Sequence, residues 1–470
     1  SHLTLHPTLP TETVPAGLPP AQRRWAVLVI MLSLFLAVLD GTIVNLALPT
    51  MAQNLQSSPS QAIWVVNAFH LAVLGLLLPL ASLGDKIGYR RVYLVGIGVF
   101  TVASLGCALA TSMPMLVGMR VLQGVGAAGL MAVNAALVRL VYPQHLLGRG
   151  IALNSLMVAT STVAGPSVAA AVLSVASWHW LFAVNVPLGL LVLWLGRRAL
   201  PGNSRTSVVT IVPLDVLLNM LAFGLVFLGA DGLGTRGGAD APTTPIWVPL
   251  GQLALGLLLG VVYLRRQLRL AVPLFPLDLL RIPVFALSMC TSVAAFCAQM
   301  LAYIALPFLL FDYFGRTPWE AGMLITAWPL ATIVAAPLAG RLIGRYPDGL
   351  LGGIGLGLLA CGLALLAALP TQPGDLDIAW RMALCGLGFG LFQSPNNHTI
   401  LTVGPAQRSG SAGGMLGTAR LTGQSLAAVL AASLFSVWPP AAGVGPLVAL
   451  GLAAGCAAFA AVASSLRLKF

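Results

Sequence analysis

Over its 470 residues this chain carries 58% hydrophobic and only 8% charged side chains, with a mean hydropathy of +0.94. Soluble domains run near about 25% charged, so a water-soluble enzyme or scaffold is excluded and an integral membrane protein is indicated. The net charge of +12 would suggest nucleic acid in a soluble chain. Here basic residues collecting in cytoplasmic loops explain it, and no nucleic-acid partner is implied.

Residues 1–24 are polar and Pro-rich and read as a disordered cytoplasmic tail with no cleavable signal. Repeated apolar runs of about 20 residues then predict membrane helices rather than a barrel, whose strands would alternate and stop near ten. The first six spans are expected at 25–48, 61–83, 92–111, 114–140, 150–174 and 179–199. Two follow at 213–232 and 246–264, and six more at 284–310, 319–343, 350–370, 379–403, 411–436 and 443–466. The expected fold is therefore all-α, with fourteen transmembrane helices. Residues 25–199 form an N-terminal six-helix bundle, and 200–283 form a linker with two extra spans. Residues 284–470 form a C-terminal six-helix bundle, pseudosymmetric with the first.

Charge supports this count. With the amino terminus inside, all 24 lysines and arginines but Arg120, Arg236, Arg316, Arg381 and Arg420 fall in cytoplasmic segments, which sets both termini in the cytoplasm. One missed span would destroy the bias. A faint internal repeat agrees: Leu83-Gly84-Asp85-Lys86-Ile87-Gly88 follows the second span as Ala339-Gly340-Arg341-Leu342-Ile343-Gly344 follows the tenth. Repeated halves with substrate bound near midplane between them are the architecture of secondary transporters. The six cysteines lie in or beside apolar runs without metal spacing and read as small buried hydrophobes. No GxxxxGK[ST] loop, catalytic set or metal cluster is present, so no enzyme and no cofactor is expected.

Two charges stand inside the spans of the first half. Asp40 lies fifteen residues beyond Trp25, about 22 Å along a helix, where an acid costs about 2.5–3.5 kcal/mol and usually faces a water-filled cavity or proton path. The competing reading is an acid near the outer surface, or one capping a break at Gly41. Arg120 shares one helical face with Gln123, Gly124, Ala127, Met131 and Asn134, a polar-to-small stripe that suits a cavity or a packed helix. A structural Arg bonding carbonyls is the alternative. In the loop Gly84-Asp85-Lys86-Ile87-Gly88-Tyr89-Arg90-Arg91, the glycines allow a tight turn and Asp85 can latch with the basic cluster of Arg90 and Arg91. For Arg91 alone, an ordinary positive-inside loop is the simpler reading.

That loop, Leu39-Asp40-Gly41-Thr42-Ile43-Val44-Asn45-Leu46-Ala47-Leu48-Pro49, Arg120-Val121-Leu122-Gln123-Gly124-Val125-Gly126-Ala127-Ala128 and Ala164-Gly165-Pro166 together resemble the major facilitator superfamily. More closely, they resemble its fourteen-helix drug:proton antiporters. The resemblance spans essentially everything from Trp25 on. It implies proton-driven efflux by alternating access, with Arg120 tied to proton coupling and Gly165 and Pro166 in the antiporter motif. The chain departs from the pattern at Ala169 and Ala170 for Gly-Gly, Lys86 for Arg, Tyr89 for a basic residue, and Arg341 for the second acid.

Polar residues expected to line a substrate pocket are Asn45, Trp64, Asn67, His70, Gln123, Asn134, Gln299, Tyr303, Trp328, Gln393, Asn396 and Asn397, the last two around a helix break at Pro395. For any one of them a helix–helix hydrogen bond is an equal alternative. Amides and aromatics with few charges suit an apolar substrate held by stacking and cation–π contact, each worth about 0.5–2 kcal/mol, and so few acids suit mono-cations or neutral compounds more than dications. Asp312 and Glu320 read as loop-edge charges, Asp215 as a helix-start acid, and Arg420 has no assigned role. The expected protein is a monomeric exporter of the cytoplasmic (inner) membrane that partners protons, membrane lipids and small hydrophobic or cationic drugs, with the proton gradient as its energy source. A dedicated exporter or importer of one metabolite is the alternative.

Overall fold

A computed structural model of the chain describes residues 17–57, 59–202, 211–234, 244–316, 318–438 and 442–470. Its regular elements are helices: α1 (Pro20–Asn54), α2 (Pro59–Ile87), α3 (Tyr89–Ala108), α4 (Met113–Val141), α5 (Leu147–Val175), α6 (His179–Ala183), α7 (Asn185–Ala199), α8 (Pro213–Gly234) and α9 (Trp247–Leu268). The second part adds α10 (Leu277–Leu280), α11 (Pro283–Phe308), α12 (Pro318–Ile325), α13 (Ala327–Leu342), α14 (Asp348–Ala367), α15 (Asp375–Val403), α16 (Ser409–Val437) and α17 (Val444–Leu466). Eleven stretches among the described residues are long and apolar enough to cross a membrane. Helices α5, α15 and α16 are not among them, although each has 29 residues, about 43 Å of helix. In α15 the run Gln393 to His398 interrupts the apolar sequence, and in α16 small and polar residues do so.

Prolines shape the helices unevenly. Pro187 and Pro329 each stand three residues after a break, at Val184 and at Thr326, because each removes the N–H that would bond the carbonyl four residues back. The break expected at Pro395 is absent: α15 runs through it. Buried prolines are tolerated where neighbouring helices satisfy the freed carbonyl.

Helix contacts run in two matching sets. Helix α4 packs on α2 and α3, as α15 packs on α13 and α14; α1 packs on α5 as α11 packs on α16; and α3 meets α7 as α14 meets α17. Between the sets, α2 meets α16 and α5 meets α13, a pair of crossings that a two-fold rotation would interchange. The α8–α9 hairpin leans on α2 and α16, tied to α2 by Asn219 Nδ2 donating to the Gly75 carbonyl at 2.9 Å.

The apolar cores differ at the two ends. Near the Arg-rich end one cluster runs from Val92, Val133 and Leu137 of the first set into Phe285, Ile400, Leu401 and Met415 of the second. Towards the other end the sets carry separate clusters, one around Ile43, Leu116 and Phe182 and one around Leu301, Leu363 and Phe389. The sets are thus packed into one body at the basic end.

Candidate functional site

The buried charges come together. Helices α1 and α4 touch, and Arg120 Nη1 donates to Asp40 Oδ2 at 2.5 Å, both side chains fully buried. Asn185, the first residue of α7, donates to the other carboxylate oxygen at 3.0 Å. Arg120 also donates to Gln123 Oε1 at 2.7 Å and, through Nε, to the Val65 carbonyl at 2.8 Å. Gln123 passes the chain on to Ser104 Oγ at 2.9 Å, which donates to the Phe100 carbonyl. The guanidinium carbon lies 4.3 Å from the ring centroid of Phe69, within cation–π range. A buried charge pair is stabilised when its remaining lone pairs and protons are satisfied; this network does that for both carboxylate oxygens, while Arg120 Nη2 has no hydrogen-bond partner among the described residues.

One expectation needs correction. Asp40 does not face an aqueous cavity in this structure, because Arg120 and Asn185 occupy its oxygens. Its neighbours Ala37, Val38 and Gly41 do line one, as does Phe69, the ring beneath the Arg120 guanidinium. The acid pair therefore stands one layer behind the cavity wall. Asn185 and Ser104 escaped the sequence reading; an amide in the apolar run Phe182 to Leu188 was the available signal for the first.

That cavity, of about 310 Å³, lies between the two helix sets. Of the expected pocket residues it is lined by His70, Gln299, Tyr303 and Gln393. The surface that His70 exposes belongs to this space. Others lie off the wall, spent on packing as the alternative allowed. Gln123 serves Arg120; Asn134 donates to Asn154 at 2.9 Å; and Asn396 donates to Ser292 Oγ at 2.7 Å. Trp328 is buried edge-on behind Tyr303, with ring centroids 5.1 Å apart, and Asn397 is not on the cavity wall. The side chains of Asn45, Trp64, Asn67, Pro166 and Asp312 lie outside the described residues. Gly165 is buried in α5.

Sequence reading also missed what dominates the wall. Arg420 of α16 lines it with Gln424, among the rings of Phe69, Phe296 and Phe389. No carboxylate is among the described lining residues. A cation without an acid, surrounded by aromatic rings and amides, repels a positive ligand and favours a neutral or anionic one. The rings on which the expectation of a cationic substrate rested are on the wall, with Arg420 standing among them.

At the basic end Asp85, at the close of α2, sits against the start of α16. Its carboxylate accepts from the backbone N–H groups of Gly410 at 2.8 Å and Ser411 at 3.2 Å, from Ser411 Oγ at 2.7 Å and from Tyr89 Oη at 2.6 Å. A carboxylate at a helix N-terminus meets unpaired N–H donors and the positive end of the helix dipole. Arg408 stands 4.0 Å away and makes a two-pronged pair with Asp278 of α10 at 2.9 and 3.1 Å. Arg139 donates to Ser409 Oγ at 2.9 Å. The latch expected among Asp85, Arg90 and Arg91 thus has other members: Arg90 bonds the Arg197 carbonyl and Arg91 is exposed. Tyr89, where the resembled pattern has a basic residue, supplies a hydrogen bond instead. Gly88 turns the chain at φ +108°, a conformation costly for residues with a Cβ. Gly84 packs so closely on Val133 and Tyr89 that a Cβ would come within 2.8 Å of the valine.

Set against known proteins, residues 30–428 match the sequence profile of the Major Facilitator Superfamily. The chain is 51% identical over 453 residues to the uncharacterized transporter YebQ of Escherichia coli, covering 96% of this chain and 97% of that one. It is 29% identical to the riboflavin transporter RibZ of Clostridioides difficile, over 88% and 89% of the two chains. To the multidrug resistance protein Stp of Mycobacterium tuberculosis it is 29% identical, over 87% of this chain and 75% of that one. Among solved structures, the human organic anion transporter MFSD10 superposes with a TM-score of 0.66 at 14% identity, covering 95% of this chain and all of the other, which speaks to the fold alone.

Proposed function

Because the chain belongs to the Major Facilitator Superfamily, whose members are transporters and not enzymes, we propose that it exports hydrophobic aromatic compounds that are neutral or anionic, in exchange for protons. The observation that carries the substrate class is Arg420 on the wall of an acid-free, ring-lined cavity. Relatives named for drug resistance and for riboflavin support a small organic substrate. In this reading the described helices, with α5, α15 and α16 spanning, make fourteen crossings of the cytoplasmic membrane, both termini inside. Residues 25–199 and 284–470 form six-helix bundles around the insert at 200–283, and one chain is the working unit.

Coupling rests on the Asp40–Arg120 pair. Protonating Asp40 removes its attraction for Arg120 and frees a cation one layer behind the cavity wall, which alters the balance between two packings of the bundles. The basic end, closed here by Asp85 and the shared core, is the cytoplasmic gate. Proton access to Asp40 then belongs to a state in which α1, α4 and α7 have separated.

Proteoliposomes loaded with fluorescein, Nile red or ethidium test this. An imposed pH gradient is expected to accelerate fluorescein or Nile red efflux and leave ethidium near the empty-vesicle rate. Ethidium moving fastest would reject the substrate class, and equal efflux after nigericin collapses the gradient would reject proton coupling. The second reading, a carrier dedicated to one metabolite, draws on the similarity to a riboflavin transporter. Saturable transport of riboflavin with no dye efflux would favour it.

A further inference from the structure

The two crossings between the helix sets are not chemically alike. Where α2 meets the start of α16, Asp85 supplies a carboxylate. Where α13 meets the start of α5, Arg341 stands at the place in the repeat that Asp85 holds in the first. There the helices touch through glycine: a Cβ on Gly340 would lie 3.1 Å from the Gly148 carbonyl and 3.5 Å from the Arg149 Cα. Close approach thus carries Arg149 and Arg341, one from each set, into the same cleft.

Arg23 and Arg24 from the first turns of α1 line that cleft too, and its volume is about 940 Å³. All four arginines are exposed or half-exposed. No carboxylate among the described residues pairs with any of them. Below the arginines, Leu28, Met31 and Leu156 extend an apolar floor about one to two turns deeper along α1 and α5. Four like charges around an apolar trough lack a counter-charge among the described residues, and a ligand with an anionic head and a hydrocarbon tail supplies both parts.

We propose that this cleft binds an anionic phospholipid, its phosphate bridging Arg149 and Arg341 and an acyl chain lying along Leu28, Met31 and Leu156. The lipid replaces the acid that the second repeat lacks and joins the two sets across the α5–α13 crossing. That it comes from the cytoplasmic leaflet rests on the orientation proposed above; binding itself does not.

The test is native mass spectrometry of the full chain, released from nanodiscs of phosphatidylcholine mixed with phosphatidylglycerol. The wild-type chain is expected to retain phosphatidylglycerol selectively, and Arg149→Gln/Arg341→Gln to bind it about thirtyfold more weakly. If the double variant fails to fold, Arg24→Glu at an exposed position serves, and there too selectivity is expected to fall. Equal retention of both lipids by the wild type, or unchanged selectivity in the variant, overturns the site. Displacement of the lipid by glycerol 3-phosphate at matched concentration overturns its assignment to a membrane lipid. The readout is binding, so a chain that moves no dye can still pass, and a proton-coupled exporter can still fail.

Discussion

At the level of single residues, Asp40 and Arg120 are worth more as a pair than either is alone. Breaking a buried pair by removing one partner costs about 3–5 kcal/mol, while replacing both is often near neutral. Asp40→Asn and Arg120→Gln are each expected to lower the melting temperature in detergent, and the double variant to regain much of that loss. All three are expected to lose pH-driven efflux. A double variant less stable than the sum of the singles would show that the charges do not support one another. Arg420→Gln is expected to slow fluorescein efflux severalfold and to raise that of ethidium, measured in the same vesicles. Asp40 and Arg120 both stood out in the sequence, since an acid or an arginine in an apolar run has few solutions. Their contact with each other did not, because a 3.6-residue stripe says which side chains share a face and not which helix meets that face. Asn185, on a helix 145 positions away from Asp40, was beyond such reasoning for the same reason.

Between helices, the start of α16 depends on an acid lent by α2. Asp85→Asn keeps acceptor oxygen but loses the charge, and Tyr89→Phe removes one donor to it. Both are expected to loosen the basic end, read as faster maleimide labelling of a cysteine placed at the buried Ala412. Charge-assisted bonds are about twice as strong as neutral ones, so Asp85→Asn is expected to have the larger effect. Unchanged labelling in both variants would mean that the shared apolar core alone closes this end. Gly88→Ala is expected to lower stability by about 1–2 kcal/mol in a detergent melt, from the φ of +108°. The turn was legible because glycine spacing and an unrequired acid leave a strong local mark. The acid's partners, some 325 positions later, leave none. Pro395 misled for a related reason: whether a proline breaks a helix depends on what surrounds the freed carbonyl, which local sequence does not contain.

For the whole molecule, hydropathy was enough to read an all-helical membrane protein, because bilayer thickness acts on every span alike. The three long helices that fall short of an apolar span, α5, α15 and α16, all contribute to the wall of the central cavity, together with α1, α2, α4, α11 and α13, so membrane signal fades on helices that line it. If both termini are cytoplasmic, protease added to right-side-out vesicles is expected to spare tags at either end, and cleavage of one tag alone would require an odd number of crossings. The α8–α9 hairpin has a mechanical consequence. It rests on α2 and on α16 at once and is bonded to α2 through Asn219, so prising those two helices apart must break the hairpin's grip on one of them. The opposite flank, where α5 crosses α13, has no such brace among the described residues. Any swing of the halves will therefore be lopsided, hinging near the strapped flank and gaping widest across the cleft that four arginines guard.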